Sequence, residues 1–207
     1  MSILQNARPT LAAAMLLAMP ALAQAVPLKV VNVGAPAINC VFNTSCTIVV
    51  NDSIGAIPLP GITGSARLQS RTFTGAAGTP GAGKTGYIYR VDLTQAVGVG
   101  NIACISTLTL DFGPITKLPY VPGGGVAEVY VITSGGLGNV GVASAERVGN
   151  LTTFTFSKPL CAGASAGKGD TTYFFGLAAP KAPKPSTAQI QITGGALVNV
   201  PARVPNH

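Results

Sequence analysis

The chain has 207 residues, of which 47% are hydrophobic and only 9% charged, and it carries a formal net charge of +7. Low charge combined with plentiful apolar residues excludes the disordered class, whose profile is the reverse. The positive balance comes from a shortage of acids, with lysines and arginines scattered singly, so it predicts no nucleic-acid interface of the clustered basic kind.

The N-terminal segment reads as a secretory signal. Met1 to Pro9 carries one charge, Arg8, and the run Leu11 to Met19 is apolar. Pro20 then breaks the run, and Ala23-Gln24-Ala25 supplies a small-x-small cleavage site. The apolar run is shorter than the ~20 residues that a membrane span needs. The expectation is therefore a signal peptide over residues 1–25, bacterial in character, and a product 26–207 that is secreted or periplasmic, with no membrane span.

After the signal, period-two alternation of apolar and polar residues recurs, and no helical period is evident. Strands are predicted at Leu28–Val33, Cys46–Asn51, Ser65–Phe73, Gly86–Leu93, Ile102–Phe112, Val126–Thr133, Val140–Ser144, Leu151–Ser157, Thr171–Ala178 and Ala188–Thr193. In the fourth of these, Tyr87, Tyr89, Val91 and Leu93 share one face, and Ile88, Arg90 and Asp92 a half-exposed one. Phe154 and Phe156 face inward, as do Ile190 and Ile192, whereas Arg67, Gln69 and Arg71 share a wet face. Thr171–Ala178 reads as a central strand buried on both sides, where Gly176 admits close backbone approach. Glycine-rich breaks fall at Gly75–Gly83, Pro122–Gly125, Ser134–Gly138 and Ala162–Gly167. The proline-rich stretch Ala179–Pro185 reads as an extended crossover, and Pro201–His207 as a short surface tail. About ten short strands predict an all-β fold, a single antiparallel β-sandwich, with a barrel as the second choice.

Four cysteines in an exported chain imply two disulfides. The pairing expected is Cys40–Cys46, closing a short loop, and Cys104–Cys161, joining distant strands. A zinc site is disfavoured, because the one histidine, His207, ends the chain and no paired CxxC spacing occurs.

Three chemistries are tempting. Gly78-Thr79-Pro80-Gly81-Ala82-Gly83-Lys84-Thr85 matches the phosphate-loop pattern, but that motif needs a following helix, and Gly86–Leu93 alternates as a strand. No nucleotide is expected to bind. A nucleophilic triad lacks a base other than the terminal His207. The acids Asp52, Asp92, Asp111, Glu128, Glu146 and Asp170 read as solvated strand ends or turn caps, and the absence of tryptophan argues against a sugar cleft.

No catalytic residue, metal or cofactor is assigned. Arg67, Arg71, Lys84, Tyr87 and Tyr89 form the one candidate binding surface. The function expected is a non-enzymatic exported structural or surface protein, a subunit of an extracellular assembly meeting itself or another extracellular protein. The alternative is a monomeric binding module for an anionic glycan, lipid headgroup or protein partner. Intact mass of the exported product is expected to place its first residue at Val26, and retention of residues 1–25 would contradict the signal reading.

Overall fold

Alternation along the strands sorts side chains between two sheets. The computed structural model describes residues 23–98, 103–121, 125–195 and 197–207, so most of the expected signal segment lies outside the described residues. Sheet A runs β1 (Val26–Leu28), β10 (Val142–Val148), β11 (Leu151–Cys161), β6 (Cys104–Asp111), β13 (Pro183–Ile192) and β14 (Leu197–Pro205), in that spatial order. Sheet B runs β2 (Val30–Gly34), β9 (Val129–Ser134), β12 (Phe174–Ala179), β5 (Thr85–Gly98), β4 (Ile62–Thr74) and β3 (Asn51–Ala56). A small hairpin joins β7 (Leu118–Val121) to β8 (Gly125–Ala127). The described residues form a mostly β architecture, two sheets packed against each other with no closed barrel among them, and they hold fourteen strands rather than about ten.

The sheets meet through aromatic and branched residues. Phe175 of β12 lies 4.9 Å from Phe154 and 6.0 Å from Phe156 of β11, and 6.1 Å from Tyr89 of β5, between ring centroids. Ile105, Leu108, Ile190, Val200 and Val204 complete sheet A's contribution, all fully buried. Burying each such side chain stabilises the fold by about 1.5–3 kcal/mol. β12 is buried along its whole length, as its sequence predicts. A side chain at Gly176 would fall on the Tyr87 carbonyl oxygen and 2.8 Å from the Tyr130 ring, so only glycine fits.

The first strand predicted, Leu28–Val33, divides at Lys29. Its N–H donates to Glu128 Oε2 at 2.8 Å, and its C=O accepts from the amides of Glu128 and Val129. These bonds turn the chain from sheet A into sheet B, where β2 pairs parallel to β9, the one parallel ladder among the described strands.

Three further departures have local causes. A helix, α1 (Ala35–Phe42), occupies a stretch where no helical period was evident, because it is only two turns long. Pro36 sits in its first turn and Ile38, Val41 and Phe42 form its buried stripe. The strand expected at Cys46–Asn51 is absent: residues 46–50 lie along the sheet without joining it, and pairing with β4 begins at Asn51. The tail expected at Pro201–His207 is instead the second half of β14, with Ala202 and Val204 in the core.

Proline spacing explains how that last ladder is tolerated. Pro183 is opposite Pro205, and Pro185 and Pro201 fall at the same alternate positions. Two facing prolines cannot exchange N–H···O bonds, so this set belongs to the non-hydrogen-bonded pairs, where an N–H would point away from the partner strand. The crossover expected over Ala179–Pro185 therefore shrinks to residues 180–182.

Both expected disulfides are present, Cys40–Cys46 across the end of α1 and Cys104–Cys161 across β6 and β11. Their sequence separations are 6 and 57. Loop entropy then gives about 2 kcal/mol for the first and about 4 kcal/mol for the second. Replacing Cys104 and Cys161 together by alanine is expected to lower the thermal midpoint more than replacing Cys40 and Cys46, as read by calorimetry.

Candidate functional site

The outer face of sheet B collects the charged side chains of β3, β4 and β5. The register sets Arg67 opposite Asp92, Gln69 opposite Arg90, and Arg71 between Ile88 and Asp52. Arg67 Nε and Arg90 Nη2 lie 3.5 and 3.0 Å from Asp92 Oδ2. Arg71 Nε lies 2.9 Å from Asp52 Oδ1, and Gln69 donates to the same carboxylate at 3.1 Å.

Asp92 is buried. Burial alone would raise its carboxyl, but the hydroxyl and amide of Thr94, donating at 2.6 and 2.9 Å, and the Arg90 and Arg67 guanidiniums outweigh it. The net effect holds the group below the usual carboxylate range. Phe174 of β12 lies under two of these cations, with the guanidinium carbons of Arg71 and Arg90 4.6 and 5.2 Å from its ring centre.

Beside this row the outer face becomes apolar. Phe42, Phe73, Ile88, Leu118, Tyr120, Tyr130, Ile132 and Phe174 form a second core beneath α1 and the β7–β8 hairpin. The face of β5 expected to be half-exposed is thereby covered at Ile88, while Asp92 is buried among Arg67, Arg90 and Thr94. Where residues 46–50 stand off the sheet, a groove of about 430 Å³ opens. Ile48, Val50, Ile88, Ile132, Leu137 and Phe174 line it, with Arg71 among them and Asn39 of α1 at its margin.

Of the five surface residues expected to bind, Arg67 and Arg71 share this face. Lys84 lies in the β4–β5 turn, four residues further along the hairpin than Arg71, and does not line the groove. Tyr87 and Tyr89 are fully buried and cannot stack on a ligand. They lie on the opposite side of β5, and their hydroxyls donate to the Lys181 and Arg203 carbonyls at 2.7 Å. Burial pushes the Tyr87 phenol up to about 12, against a lowering by Thr85. The alternation that separates Tyr87 and Tyr89 from Arg90 already carried this information. Asp52, Arg90 and Phe174 are the participants that the reading of the sequence left out; Arg90's period-two relation to Ile88 was the available signal, whereas Phe174 arrives from a distant strand.

The remaining candidates resolve into structural roles. The phosphate-loop match closes the β4–β5 turn, and Thr85 opens a strand rather than a helix. The amides of Ala76 and Gly81 donate to the Phe42 and Val41 carbonyls, so the loop is bonded to the end of α1. His207 is held by Asp111 Oδ1 and the Pro205 carbonyl, each at 3.0 Å. Glu128 pairs with Lys117. Asp170 pairs with Lys158; burial would raise its carboxyl, but Lys158, the Cys161 amide and Asn139 together lower it. Among the described residues no three His, Cys, Asp or Glu side chains are grouped to hold a metal ion. Comparison with known protein families, curated proteins and solved structures gives no match.

Because the folded-state pKa of Asp92 lies below its unfolded value, its ion pairs stabilise the protein at neutral pH. That contribution fades as the pH falls through the unfolded value near ~3.9 and is gone below the depressed folded value. Asp92→Asn is expected to cost about 2 kcal/mol at pH 7, with a difference from wild type that shrinks below about pH 4. Urea unfolding at a series of pH values reads this directly, and a pH-independent difference would contradict it.

Proposed function

We propose that this chain is an exported, non-enzymatic structural or surface protein, a subunit of an extracellular assembly. The observation that carries the reading is apolar exposure on the extended stretch that leads into β3 and on β3 itself. Val49 is 90% exposed and Ile54 61%, and Leu137, 62% exposed, lines the groove together with Ile48 and Val50. Residues 47–50 make no backbone hydrogen bond to another described residue, so this stretch offers both apolar side chains and open peptide groups.

The other long edge suits such contacts less well. Along β14 the prolines at 201 and 205 remove two donors, the Arg203 amide bonds to Ser70 Oγ, and Tyr89 occupies the Arg203 carbonyl. Export is supported by two disulfides with no free cysteine among the described residues. No helix among those residues is long and apolar enough to cross a membrane. A non-enzymatic role is supported by the state of the acids. Five of the six described carboxylates contact a cation or His207, and those with resolved shifts titrate low, the reverse of what a general acid needs.

A second reading, the monomeric binding module, is favoured by one feature, the placement of Arg71 on Phe174 within the groove. Light scattering on size-exclusion fractions of the oxidised protein separates the two. Oligomers that dissociate in the Val49→Lys, Ile54→Lys variant are expected for the assembly, and a monomer at every concentration would overturn self-assembly.

A further inference from the structure

The groove beside α1 combines features that together specify a ligand chemistry, and this inference rests on the binding-module reading. Its size, about 430 Å³, falls within the range of small-molecule sites. The wall is aliphatic, from Ile48, Val50, Ile88 and Ile132, and Phe174, whose ring carries Arg71 and Arg90, lines it at the base.

One end of the groove is cationic. Arg71 has two contacts, an ion pair from Nε to Asp52 and its guanidinium carbon 4.6 Å from the centre of the Phe174 ring. Its two terminal amino groups have no hydrogen-bond partner among the described residues. Asp52 balances Arg71, and the one uncompensated positive charge of the row lies beside the groove, where Arg67 and Arg90 share Asp92. A planar guanidinium fork with two open donors matches a carboxylate.

We propose that this groove binds a small amphiphilic carboxylic acid, free in solution, with its carboxylate on Arg71 and its apolar body along Ile48, Ile88 and Phe174. The concave shape favours a single molecule over a membrane surface. The apolar wall excludes a wholly polar glycan, whose hydroxyls would be left without partners.

The probe pair is octanoate and octanol, titrated calorimetrically into the oxidised protein at low salt. Saturable one-to-one binding of octanoate is expected, about tenfold or more tighter than octanol. Arg71→Gln is expected to erase that preference while octanol binding persists, whereas Leu137→Asp, at an exposed position on the margin, weakens octanoate without lowering the thermal midpoint. Equal binding of the two probes, or octanoate binding indifferent to both substitutions, would overturn the proposal. A sulfated polysaccharide, titrated alongside, separates two failures. Arg71-dependent binding of the polysaccharide without octanoate binding overturns the small-acid proposal and leaves the module reading standing, and binding of neither overturns the proposal together with the glycan form of that reading.

Discussion

The outer face of sheet B buries one carboxylate, Asp92, which has to find its partners within the protein. That constraint governs the charged row. Asp92 sits under Arg67 and Arg90 in a site where an unpaired carboxylate would be costly, and Thr94 supplies the remaining donors. The same row defines the boundary of the second core, because Phe174 serves both as apolar floor and as the surface on which Arg71 and Arg90 lie.

Closure of the sandwich on one side follows from a related economy of backbone groups. β3 and β14 are the outer strands of different sheets, and they are joined through Arg203, whose guanidinium donates to the Asn51 carbonyl. Gly55 admits the Pro201 carbonyl where any side chain would collide with it. Prolines at alternate positions leave β14 with few donors on its open flank. The most exposed of the large apolar side chains, Val49, stands where residues 46–50 leave the sheet, and its neighbours Ile48 and Val50 line the groove.

Much of this was legible in the chain. Alternation located the central strands of both sheets but missed β3 and β14, and the inward set Phe154, Phe156, Ile190 and Ile192 is buried as read. The cysteine pairing was legible too, because one pair is close in sequence and the other falls on predicted strands. The site was less so. Period two placed Arg67 and Arg71 on one face, but Tyr87 and Tyr89 belong to the core that the opposite face builds. Arg90 and Asp92 were visible as a polar pair without any sign that Arg67 and Thr94 would close on Asp92 or that Phe174 would lie against Arg90.

What the sequence determines by itself is local: which residues alternate, where glycine and proline interrupt, and which cysteines can reach one another. Tertiary structure decides the rest, because it depends on pairings between distant segments. Glu128 capturing Lys29 sends the first strand into the second sheet, and Pro183 facing Pro205 turns an expected tail into a core strand. Phe174 reaching Arg71 across two intervening ladders makes a cationic groove from residues that share no local motif. A periodicity reports the side of a strand on which a residue stands, and only the packed fold supplies what stands opposite.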